Sequence, residues 1–175
     1  MGMKHRIAAA LLSAAAFAAP AQAADQAFFS NVSGVWTGPG EIVAGKYQGT
    51  KFNCSLTGTP VADAEAGIAM DGSCRVGVFS QKMSAVIRKV SGDYEGRFLD
   101  GAAGEGLDIT AGRVDGDRVL MAIERKQLEG AMVARMLDAN TMNVTVSVNV
   151  GDSMVPVIGM TLARNLDTMA VGSVQ

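Results

Sequence analysis

Val144-Thr145-Val146-Ser147-Val148-Asn149-Val150 puts four valines on one face of an extended chain and three polar residues on the other. A helix would scatter these side chains around its axis. A strand with one buried face sorts them, and β-branched residues favour that conformation. Working outward, similar short runs recur at 35–43, 49–57, 67–78, 83–90, 94–99, 107–114, 118–127, 131–137 and 154–164. Ser91-Gly92-Asp93 and Asp115-Gly116-Asp117 supply hairpin turns between them. The pattern predicts an all-β domain: a single antiparallel up-and-down β-barrel of about eight to ten strands. The segment 79–89 reads as a short helix or as a strand, with Met83, Ala85 and Ile87 alternating. No helical stripe of useful length is apparent after Ala24.

The ends of the chain read differently. Lys4 and Arg6 precede an uncharged apolar run from 7 to 19, and Ala21-Gln22-Ala23 offers small residues at a cleavage point. This is the three-part pattern of a secretory signal peptide over 1–23, with cleavage expected after Ala23 or Ala24. The barrel domain is expected over 24–164, followed by a flexible tail over 165–175. The apolar run is too short to span a bilayer comfortably, and no transmembrane segment is expected after cleavage. An outer-membrane barrel would carry aromatic girdles. One Trp, two Tyr and, with Phe17 set aside, five Phe do not supply them. The expected location is periplasmic or secreted.

Removing the leader also removes His5, the one histidine, and leaves 17 acidic against 13 basic side chains. Histidine-based nucleophilic catalysis and imidazole metal sites are thereby excluded from the mature chain. Its acidic balance argues against nucleic acid as a partner. Cys54 and Cys74 are the only cysteines, and an even count in an exported chain predicts a disulfide. A hairpin folded near Ala64 sets them opposite each other on one face.

The remaining candidates for chemistry are weak. Asp93 and Glu95 share a face, as do Asp115 and Asp117, but turn geometry and solubility account for both pairs. Arg88-Lys89 and Arg125-Lys126 read as solvated strand edges. No enzyme, cofactor or metal is expected. Methionine is overrepresented, with nine left after Met1 and Met3 are set aside. By alternation Met121 and Ile123 share a face, as do Met132 and Met136. Val146, Val148, Met154, Ile158 and Met160 extend the same inner surface. These side chains are the candidate lining for a small apolar or amphipathic ligand.

At the other end of the mature chain stands Gly34-Val35-Trp36, opening the first strand, and Arg164 closes the last. The triplet resembles the Gly-x-Trp entry of the calycin superfamily, the lipocalin-like and avidin-like barrels. That resemblance implies that Trp36 closes one end of a barrel with Arg164 packed across it, both in structural roles. The chain also resembles the small periplasmic protease inhibitors of the Inh type in size, in its single cysteine pair and in its early Gly-x-Trp. There the implied function is a protein-interaction module in the envelope, with Ala24 to Asn31 as an N-terminal trunk.

Overall fold

Ten strands form a closed barrel in the computed structural model, which describes residues 19–99 and 106–166. They are β1 (Gly34–Ile42), β2 (Lys51–Pro60), β3 (Ala66–Val76), β4 (Phe79–Val90) and β5 (Asp93–Leu99), then β6 (Leu107–Asp115), β7 (Arg118–Arg125), β8 (Leu128–Asp138), β9 (Thr141–Val150) and β10 (Ser153–Arg164). Each strand pairs antiparallel with its sequence neighbours, and β1 pairs with β10 to close the ring. Alternating apolar runs explain this order, because each strand needs one buried face and a short turn reaches its neighbour most directly. Ser91 and Gly92 both take positive φ, the geometry of a two-residue turn matched to strand twist. Most of the expected leader and tail, at 1–18 and 167–175, lies outside the described residues.

The segment 79–89, open between helix and strand in the sequence, belongs to a strand, β4. Two sequence expectations change. The run 67–78 is cut at Gly77-Val78, where the chain turns, and this leaves Val78 fully in solvent. On β10 the register shifts between Pro156 and Ile158. That bulge reverses which side chains face inward, so Met154 sits opposite Asn149 and is 49% exposed. It does not share the inner face with Ile158 and Met160.

A third difference is the helix α1 (Ala19–Val32), which precedes the barrel. Ala and Gln favour helix here, and Asp25, Phe28, Phe29 and Val32 fall at i, i+3, i+4 and i+7 on one buried face. A helix this short is marginal alone. Burying two phenylalanines and a valine contributes roughly 1.5–3 kcal/mol each. The chain leaves α1 through Gly34, whose φ of 115° suits glycine and which Arg164 closely approaches.

The core fills the helix half of the barrel. Trp36 and Met121 are fully buried there with Ile68, Val119 and Leu162. Cys54 and Cys74 are register partners on the inner face and form the disulfide, with their Cα atoms 4.0 Å apart.

Candidate functional site

The two ends of the barrel differ, and the difference defines the site. At the helix end, α1 lies across the opening. Its Phe29 ring stands 6.1 Å from that of Tyr94 and 5.5 Å from that of Phe28. Trp36 Nε1 donates to the Val32 carbonyl at 2.7 Å. Arg164 places its guanidinium 4.3 Å from the Trp36 ring centroid and donates to the carbonyls of Asn31, Ser33 and Ala139. A cation on the last carbonyls of a helix satisfies groups that have no partner within the helix.

One polar cluster is enclosed with the plug. Lys89 alternates onto the inner face with Ile87, and its ammonium meets the Asp25 carboxylate at 2.6 Å. Both side chains are largely buried, so Lys89 is not part of a solvated edge. Tyr94 lies beside them with Lys89 Nζ 5.6 Å from its ring centroid. Its buried hydroxyl has no well-formed hydrogen bond. Burial, and then the neighbouring Asp25 carboxylate, push its pKa well above the ordinary phenol value.

The other end is a mouth without a plug among the described residues. Following the inner face outward, Phe52, Phe98, Leu107, Val148 and Ile158 are only half-buried. Val76, Leu128 and Val150, nearer the rim, are exposed. These inward-facing apolar positions would be covered in a filled barrel. Below them a cavity of about 90 Å³, open toward the mouth, lies over Phe28, Phe29 and Val32, between Met132, Met160 and Phe98. A side pocket of about 40 Å³ adjoins it at Met70, Cys74 and Met83. About 90 Å³ is room for roughly three waters, well short of the 300 Å³ or more that holds a drug-sized ligand. A ligand of ordinary size therefore seats in the mouth above the cavity, with its deepest atoms reaching in.

The predicted lining residues divide along this axis. Met132 and Met160 line the cavity, and Val146 packs against the core just above. Val148 and Ile158 stand higher, on the mouth wall. Met121 and Ile123 are sealed in the core. Met136 lies at the opposite end, facing an open recess of about 650 Å³ beside α1, Asp138 and Arg164. Sequence reasoning missed Phe28, Phe29, Asp25, Lys89 and Tyr94. The spacing of the first three with Val32 was the available signal.

The acidic pairs do not converge. Asp115 is held by Arg118 at 2.6 Å, which keeps its carboxyl below the ordinary carboxylate range, while Asp117 is held by Arg135 at 2.9 Å. Among the described residues no group of three or more His, Cys, Asp or Glu side chains is placed to hold a metal. No described helix is long and apolar enough to cross a membrane.

No sequence-family model matches the chain, and no curated protein matches it. Among solved structures, the chain is similar to that of the crystal structure of Rv2717c from M. tuberculosis. The TM-score is 0.57 with 12% identical residues, covering 78% of this chain and 94% of that one. At this identity the likeness is one of fold, a closed β-barrel.

Proposed function

We propose that this chain is an exported, calycin-like, non-catalytic binding protein that holds a small apolar or amphipathic ligand in the open half of its barrel. The observation that carries this reading is the run of inward-facing apolar side chains left in contact with solvent at the end opposite α1. Phe52, Phe98, Val148 and Ile158 form a wall for an apolar body, above a floor closed by α1. Polar chemistry is scarce along that wall, which favours containment over reaction. The leader-like N-terminus and the Cys54–Cys74 bridge support a periplasmic or secreted location.

The Inh-type alternative needs an N-terminal trunk free to enter a partner. Here residues 24–31 are helical and Phe28 and Phe29 are buried, so that function requires α1 to leave its seat. Native mass spectrometry of the protein isolated from its own envelope tests the carrier reading. The expected result is a reproducible non-protein mass that is lost on unfolding, and is weakened about tenfold or more in the Val148→Glu variant. A clean polypeptide mass, together with no uptake of an apolar fluorescent probe, would overturn it.

A further inference from the structure

Among the described residues, large apolar side chains left in solvent gather at the mouth. Val78 at the β3–β4 turn is 90% exposed and the adjoining Phe79 is 78% exposed, and Tyr47 is exposed on the β1–β2 loop at the same end. Only Val90, Leu137 and Leu166 are exposed in this way toward the helix end. The turn itself is Gly77-Val78, flanked by the register pair Val76 and Phe79; Gly77 supplies the positive φ, and the turn does not require Val78 or Phe79 to be apolar.

The same flank differs in charge from the rest of the protein. Lys46, Lys51, Arg75 and Lys82 are exposed around the tip, and 43–56 and 72–87 contain no carboxylate. Among the described residues none of these four forms an ion pair. Among the described residues, Glu41, the register partner of Lys51, is the acid on that side, while Asp108, Glu124, Glu129 and Asp152 stand around the rest of the mouth. An apolar tip ringed by cations, on a chain whose net charge is negative, matches a surface that is anionic outside and apolar beneath.

We propose that the β3–β4 tip docks the barrel, mouth down, on an anionic phospholipid bilayer, with Val78 and Phe79 entering the interface and the four cations contacting headgroups. This surface works whether or not the mouth holds a ligand. If the carrier reading also holds, docking sets the opening against a source of apolar molecules.

Co-sedimentation with lipid vesicles tests the docking. The full chain is mixed with vesicles of phosphatidylcholine alone and with vesicles in which about a third of the lipid is phosphatidylglycerol. The same is done with the Val78→Ser, Phe79→Ser double variant. The apolar run at 7–19 is common to both proteins, so the difference between them reports the tip. The wild type is expected to bind anionic vesicles better, to lose that preference at about 0.5 M salt, and to fall about tenfold or more in the double variant. Lys82→Gln should weaken partition about fivefold. Circular dichroism of each variant checks that these exposed substitutions leave the fold intact. Equal binding by both proteins, or no preference for the anionic vesicles, would overturn the proposal. So would a concentration-dependent dimer that Phe79→Ser abolishes without any effect on vesicle binding, since the tip would then serve a second copy of the chain.

Discussion

Arg164 and Trp36 are register partners across the β1–β10 seam, and the guanidinium lies 4.3 Å from the centre of the indole ring. The same fork reaches the carbonyls of Asn31 and Ser33 at the end of α1. One side chain thus joins the seam, the buried indole and the plug. Lysine carries the same charge but has neither the planar fork nor the stacking face. Arg164→Lys is therefore expected to lose about 2 kcal/mol, read as a lower urea midpoint. A midpoint equal to wild type would show that charge alone suffices.

The Asp25–Lys89 pair is buried between helix and barrel, so its two halves are not independent. Removing the carboxylate leaves an enclosed ammonium without its partner. Asp25→Ala should cost about 3 kcal/mol or more, with faster hydrogen exchange through 25–32. Asp25→Leu combined with Lys89→Met should recover most of that loss, because an apolar pair needs no compensation there. If the double variant is as unstable as the single one, the helix is held by something other than this contact.

Tyr94 provides a pH signature. Its pKa is raised in the folded state, so the folded protein keeps a proton that the unfolded chain releases near pH 10. The associated stability is complete below about pH 10 and declines as pH rises from there toward the raised value. Tyr94→Phe removes that decline and also removes a buried hydroxyl with no well-formed partner. At neutral pH the variant should match or slightly exceed wild type. Between about pH 10 and 12 it should hold its melting temperature better. Parallel thermal melts across that range decide the matter.

The strand pattern was readable because it depends on period alone. The valines of β9 and the facing positions of Cys54 and Cys74 follow from counting by twos. Features that depend on distant partners were not readable in that way. Helix α1 begins within the expected leader, and its stripe opens just beyond it on Asp25, a charge that makes no sense on a buried face until Lys89 is in view. Lys89 shares parity with Ala85 and Ile87, yet its place beside Arg88 reads as surface. The bulge at Pro156–Ile158 is invisible to alternation, and so Met154 was assigned to the wrong face. The candidate lining was legible as a face, but its depth along the barrel axis was not. That depth separates the accessible Val148 and Ile158 from the sealed Met121 and Ile123.

The disulfide closes a loop with a sequence separation of 20, and Cys54 is almost completely enclosed. Replacing both cysteines with alanine is expected to lower stability by about 3 kcal/mol, measured by urea titration.

The seam between β1 and β10 has a consequence for how the chain reaches this state. The first and last strands are partners, with Trp36 set against Arg164, so no partial product lacking β10 can complete the ring. A chain emerging N-terminus first holds an open sheet with two unpaired borders until its final strand arrives. Contacts of such long sequence separation place barrel formation among slow processes, of the order of milliseconds to seconds. Once shut, the ring presents no border on which another chain can template.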